Sequence, residues 1–290
     1  MPIISVIIPT FNRPHQLAVC LESFTRQSLQ KDLFEVIVVD DDSIADLSSI
    51  ILPLQENINV RLVVQDHAGP GQARNNGAKQ AQGQFIAFTD DDCCADENWL
   101  LELVKCLQLD SSKMYGGQTV NALKANLYSV ASQALIDYLY GYYNSDPEQA
   151  FFFTSNNMAL SRSLFEMVGG FDEQFRLASS EDRELCVRWR NSGHGMAFIA
   201  CARILHSHNL NFWSFWRQHF RYGRGAWRFW ECRYTQGTTG PRLEPAKFYL
   251  GLLHHVRTNK LKPALSLSLL LLLSQIANAS GFAWAKFRRA

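Results

Sequence analysis

The chain has almost no net charge: 28 Lys and Arg against 27 Asp and Glu leave +1. Bulk electrostatics therefore give nucleic acid no reason to bind. Cysteine is sparse and unpatterned, seven residues with Cys93 and Cys94 adjacent and no C-x-x-C pair. That excludes a disulfide framework and a zinc ribbon and fits a reducing compartment. No basic stretch followed by a long apolar run stands near the N-terminus, so no secretory signal is expected. Internal repeats and low-complexity tracts are absent too. No G-x-G-x-x-G follows the first apolar run, where Pro9-Thr-Phe-Asn-Arg-Pro14 stands instead. A dinucleotide-binding oxidoreductase is thereby disfavoured. A glycine- and lysine-rich phosphate loop is also missing there, which argues against a nucleotidyltransferase. At 290 residues the chain suffices for one large domain or two small ones.

What is present centres on Phe85-Ile-Ala-Phe-Thr-Asp-Asp-Asp-Cys-Cys94, an apolar run that stops on three acids. It reads as a buried strand whose end faces solvent. Adjacent carboxylates repel one another and call for a cation or a donor-rich ligand. Hard oxygen ligands suit Mg²⁺ or Mn²⁺, above all an ion that also holds phosphates. The same residues also suit an exposed acidic turn capping the helix that starts near Trp99. Taken alone, the stretch leaves both readings open.

The rest of the chain alternates. Ile3–Ile8, Phe34–Val39 and Val60–Val64 are β-branched or apolar runs typical of buried parallel strands. Helices are expected over about His15–Gln27 and from Gly69-Pro-Gly71 to Gly83, with a helix or irregular crossover over Ala45–Gln55. This βαβ rhythm predicts a mostly parallel sheet with helices on both faces. In such sheets the ligand crevice lies at the carboxyl ends of the strands, and both acidic clusters, at Asp40 and at Asp90, fall there. Beyond Trp99 the pattern is mixed. Helices are expected over Leu100–Leu109, Leu127–Tyr140, Arg162–Val168 and Glu181–Ser192. Strands are expected over Tyr115–Val120 and Met196–Ala202, with a strand pair or bent strand over Phe151–Leu160. Ser179-Ser-Glu-Asp182 reads equally as a helix cap or as a carboxylate aimed into a crevice.

Six motifs in order resemble the family-2 glycosyltransferases of GT-A fold. They are Val6–Arg13, Val38-Val-Asp-Asp-Asp-Ser43, Gly69-Pro-Gly-Gln-Ala-Arg-Asn-Asn-Gly77, Phe88-Thr-Asp-Asp-Asp-Cys93, Gly169-Gly-Phe-Asp-Glu173 and Ser180–Leu185. The resemblance covers roughly residues 3 to 208. It implies an inverting transferase that uses a nucleotide-diphosphate-sugar donor and a glycan, lipid-linked or polysaccharide acceptor. It further implies that Pro9, Thr10, Asn12, Arg13, Asp40 and Asp41 hold the nucleotide, with Arg74 turned to the diphosphate or ribose and Asp90 and Asp91 on the donor. Asp92 and Asp90 would ligate Mn²⁺ or Mg²⁺, His206 adding a late ligand, and Asp182, beside Glu181, would be the catalytic base. Asn156 and Asn157 would line the acceptor side, and Arg224 would approach phosphates or acceptor. The multi-span region and Q-x-x-R-W segment of polymerising synthases are not found, so single transfer is expected. A catalytically idle scaffold or carbohydrate-binding protein of the same fold is the alternative, against which the intact Asp90, Asp92 and Asp182 weigh.

The division expected from sequence is a catalytic domain over 1–208, with a nucleotide half to about 98 and an acceptor half after it. An aromatic and basic helical extension follows over 209–262, then an apolar helix and basic tail over 263–290. Pro263 to Ala285 carries no formal charge, with Lys260 and Lys262 before it and Lys286, Arg288 and Arg289 after. A helix of that length matches one hydrocarbon core. Nucleotide sugars arise in the cytosol, so the catalytic domain should face it. A clean crossing would put the basic tail on the far side, against the positive-inside tendency. The segment is therefore expected to lie in the interface or re-enter at the cytoplasmic face of a membrane.

Overall fold

The computed structural model describes residues 1–175, 179–235, 244–259 and 261–288; Lys260 and Arg289, counted above among the flanking basic residues, lie outside these. In chain order the elements are β1 (Ile4–Thr10), α1 (Pro14–Phe24), β2 (Phe34–Asp40), α2 (Ser48–Ile51), β3 (Val60–Val64), α3 (Pro70–Gln80), β4 (Phe85–Phe88) and β5 (Cys93–Ala95). There follow α4 (Trp99–Leu109), β6 (Met114–Asn121), α5 (Leu127–Tyr143), β7 (Met158–Ser161), α6 (Arg162–Val168), α7 (Glu181–Asn191) and β8 (Met196–His206). Three helices close the chain: α8 (Phe212–Thr235), α9 (Ala246–Thr258) and α10 (Ala264–Phe287).

The chain forms two compact units. The first holds a mixed sheet in the order β3-β2-β1-β4-β7-β6-β8-β5. β1 pairs in parallel with β2 and β4, and β2 with β3, whereas β7 runs antiparallel to β4 and β6, and β5 to β8. Strand alternation sends Val6, Ile8, Val36 and Val38 into a core shared with Leu17, Leu21 and Phe24 of α1 and Trp99, Leu100 and Leu103 of α4. The other face, through Ile7 and Val39, meets α3 at Gly77. A Cβ on Gly77 would lie 2.5 Å from Ile7 Cγ2, so only glycine lets that helix come so near. The strand order steps outward from β1 to β2 and β3 and then crosses back to the other side of β1 with β4, and this switch opens the crevice at the carboxyl ends of β1 and β4.

Asn157 ties three elements of this unit. Its carboxamide accepts the indole N–H of Trp99 at 2.8 Å and donates to the carbonyls of Gln118 and Ala202, each at 3.1 Å. The residue is fully buried, so its expected place on the acceptor side gives way to a packing role. Asn156 is likewise turned inward, toward Thr154 and Thr119. Asn157→Ala strips partners from a buried N–H and two carbonyls, and we expect a loss of about 3 kcal/mol. Urea unfolding checks this: the midpoint should fall with the slope unchanged, and an unmoved midpoint would refute it.

The second unit comprises residues 121–143 and 208–290 with the short segment ending at Glu181. One division falls between Ser207 and His208, and residues 121–143 belong with the second unit as well. α5 leaves the sheet-bearing unit because its apolar face, Ala131 and Leu135, packs with Phe215 of α8, Leu252 and Val256 of α9 and Leu267 and Leu271 of α10. α8 and α10 pack backbone to backbone. A Cβ on Gly281 would meet the carbonyl oxygen of Phe220, and one on Gly223 that of Asn278. Moving forward along α8 means moving backward along α10, so the two run antiparallel.

Candidate active site

Three loops meet where β1, β2 and β4 end. The left-handed backbone of Asn12 (φ 54°) and Asp42 (φ 71°) turns the first two sharply, a conformation that Asn and Asp tolerate better than most residues. Asn12 then stitches the loops together: its N–H donates to Ser43 Oγ at 2.8 Å, and its Oδ1 accepts from Ile44 N–H at 2.9 Å. Asp40, buried at the end of β2, accepts from Ser43 N–H at 3.0 Å. Asp41 holds the loop before α3, accepting from Gln65 Nε2 and Ala68 N–H at 2.8 Å each and from Gly69 N–H at 2.9 Å.

The acidic run after β4 divides by side-chain direction. Asp91 points inward, accepting from Thr10 Oγ1 at 2.8 Å and from Arg13 at 3.0 Å. Burial lifts its pKa to about 6; Arg13 and the Thr10 hydrogen bond pull it down, while neighbouring Asp92 and Asp90 push up. Asp90 stays partly open, its Oδ1 receiving Arg74 at 2.6 Å. The Arg74 guanidinium is buried and lies 5.5 Å from the centroid of Phe171. Asn75 holds Phe171 in place by bonding both its N–H and its carbonyl at 2.8 Å.

Asp92 is the meeting point. Arg13 approaches its Oδ2 at 3.2 Å, and His206 Nε2 approaches its Oδ1 at 3.2 Å. The register explains the second contact: β5 pairs Cys93 with His206, so the last residue of β8 arrives at the end of the acidic run. Burial alone would lower the His206 pKa, but the hydrogen bond and charge of Asp92 more than compensate and raise it. Ligand atoms of Asp92, Cys93 and His206 lie within 4.8 Å of one another. Cys93 is a poor member of that set. It is buried, and burial pushes its thiol well above its ordinary value, so it stays protonated. A carboxylate and an imidazole remain, a donor pair that fits a divalent ion of the Mn²⁺ type.

Asp182, in the first turn of α7, accepts backbone N–H bonds from Arg183 and Ser155. Burial raises its pKa; those two bonds and the charge of Arg74 act against the rise, while Asp90 adds to it. Arg74 therefore serves two carboxylates, at Asp90 and toward Asp182.

The expected site residues take the following places. Pro9 lies inside β1 opposite Val39, and Thr10, Asn12, Asp41 and Asp91 direct their side chains at the protein, so they position loops. Arg74 is buried between Asp90 and Phe171. Glu181 bends back to accept Ser179 N–H at 2.5 Å, shaping the entry to α7. Arg224, in the second unit, lies 4.5 Å from the centroid of Trp284. The motifs did not single out Phe11 and His67. Phe11 is 42% exposed and stacks on His67 with centroids 4.3 Å apart, offering a flat surface beside Asp40 and Asp41. Only the position of Phe11 within the β1-end motif hinted at it.

The fold and the sequence both have known counterparts. The mannosyltransferase PcManGT from Pyrobaculum calidifontis, solved with GDP-Man and Mn²⁺, superposes with a TM-score of 0.70 over 98% of this chain and 88% of its own, at 17% identity. The glycosyltransferase AglE of Haloferax volcanii is 31% identical over 120 residues, 40% of this chain and 39% of that relative. The GalNAc(5)-diNAcBac-PP-undecaprenol beta-1,3-glucosyltransferase of Campylobacter jejuni is 43% identical over 95 residues, 32% of this chain and 30% of its own length. The matches thus span well under half of these two relatives. The family model described as glycosyl transferase family 2 matches residues 5–169, more than half of the chain. The chain belongs to glycosyl transferase family 2.

Proposed function

We propose that the protein is an inverting glycosyltransferase that takes a sugar from a nucleotide-diphosphate-sugar and joins it to a hydroxyl of a glycan or lipid-linked acceptor at the cytoplasmic face of a membrane. The observation that carries this is the Asp92–His206 pair at the carboxyl end of β4, in one crevice with the enclosed carboxylate of Asp182. The nucleobase rests against Phe11 and His67, and the Asp40 loop shapes its edge. Arg13, half-exposed and paired with Asp91 and Asp92, is a cation able to turn from them to the diphosphate. Asp92 and His206 would hold the divalent ion, which when bound supplies Lewis-acid stabilisation of the departing nucleoside diphosphate. Asp182 takes the acceptor's hydroxyl proton as the new C–O bond forms on the face opposite the breaking sugar–phosphate bond, so configuration inverts.

A thermal-shift screen of nucleoside diphosphates and their sugars, with and without Mn²⁺ or Mg²⁺, tests the donor half. One base should stabilise the protein in a metal-dependent way. Well-folded protein that responds to none of them would sink the reading and favour a scaffold without a donor site.

A further inference from the structure

The helical unit carries an apolar line that no part of the described protein covers. On α10, Leu267, Leu271, Ser274, Ala277 and Gly281 are buried. On the opposite side, at helical spacing, Leu265 is 75% exposed, Leu269 58%, Ile276 57% and Phe287 71%, with Leu272 continuing the line. Soluble monomers seldom leave so long a run of large apolar side chains in water. Charge sits at its two ends. Lys262 precedes the helix; Lys286 and Arg288 close it, and the Arg288 guanidinium lies 4.6 Å from the centroid of Trp284. Trp beside Arg, half apolar and half charged, suits a boundary between hydrocarbon and water.

The sequence is polarised to match. Between residues 245 and 290 stand seven Lys and Arg and no Asp or Glu, while the other 21 basic residues face all 27 acids. The near-neutral total thus conceals a +7 segment joined to a −6 remainder.

The α10 helix is long and apolar enough to cross a membrane, but its neighbour opposes a crossing. α8 runs antiparallel along α10 and carries Arg217, Arg221, Arg224 and Arg228. If α10 spanned a bilayer, α8 would draw those four guanidiniums into hydrocarbon, where charged side chains are strongly disfavoured. We infer that α10 lies in the plane of an anionic membrane surface. Leu265, Leu269, Leu272, Ile276 and Phe287 enter the acyl boundary, and Lys262, Lys286 and Arg288 sit on lipid phosphates. This holds whatever reaction the other unit performs.

Co-sedimentation of the full chain with vesicles is the test, comparing phosphatidylglycerol mixed with phosphatidylcholine against phosphatidylcholine alone. Wild type should bind the anionic vesicles at least about tenfold more tightly, and added salt should weaken that preference. Leu269→Ser/Leu272→Ser/Ile276→Ser should release the protein from both vesicle types. Lys262→Gln/Lys286→Gln/Arg288→Gln should abolish the preference for anionic lipid alone. All these positions are surface residues, and an unchanged melting temperature confirms that each variant is folded. Equal binding to neutral vesicles, or serine variants that bind like wild type, would overturn the inference. So would protein that resists alkaline carbonate extraction, as a spanning helix does. Lipid-free dimers that the serine variant dissociates would assign the line to a second copy instead.

Discussion

Asp182→Asn is expected to lower kcat about a thousandfold while donor affinity stays unchanged, the size of effect a positioned general base contributes. Asparagine keeps an acceptor oxygen for the Ser155 and Arg183 N–H groups, so the start of α7 should keep its shape. Two further readings separate catalysis from packing. The wild-type acid limb of kcat/KM should lie above the ordinary aspartate value of 3.8, because burial raises the Asp182 pKa and activity needs the ionised form. Activity is then lost as pH falls through that raised value. Stability runs the other way. In the window between 3.8 and the raised pKa the folded state holds a proton that the unfolded state has released, so folding weakens as pH rises across it. Above the window the asparagine variant should melt higher than wild type. A variant with normal turnover, or one that fails only because it unfolds, would remove Asp182 from the base role.

Asp92→Ala is expected to eliminate metal-dependent stabilisation by nucleoside diphosphate and to lower kcat/KM about a thousandfold, in line with the loss of a charge-stabilising element at a leaving group. Mn²⁺ titration of the protein alone gives a readout independent of turnover. The alanine variant loses the carboxylate shared by His206 and Arg13, so Mn²⁺ affinity should collapse. His206→Asp replaces a nitrogen ligand by oxygen and should shift preference from Mn²⁺ toward Mg²⁺. Unchanged Mn²⁺ binding in Asp92→Ala would place the ion elsewhere.

Much of this site could be read in the sequence because the motifs coincide with strand ends. β3 falls on the expected Val60–Val64, and the β2 and β4 runs stop where the acids begin. Side-chain direction was not readable. Asp91 and Asp92 are neighbours of one residue type, yet one is bound to Thr10 inside the protein and the other faces His206. Asp41 and Asn157 resemble exposed polar residues in sequence and become internal braces, and Asn12 a surface one, only when loops distant in sequence arrive beside them. The three-residue strand β5 has no period of its own; it exists because β8 lies alongside. β8 in turn runs on to His206 through Arg203, a polar residue at which a strand would be expected to end. α5 has an ordinary amphipathic pattern, which says that one face is covered but not by which part of the chain.

The pairing of Cys93 with His206 joins the middle of the first unit to its last strand, so it also sets an order of assembly during synthesis. When a growing chain has just emerged past β4, the parallel strands can form, but their acidic run has no imidazole beside it. That partner is translated last among the strands and must close a long loop to dock on β5, an entropic cost met only once the intervening helices have folded. A truncated or stalled chain therefore keeps a nucleotide-shaped half without the nitrogen beside Asp92.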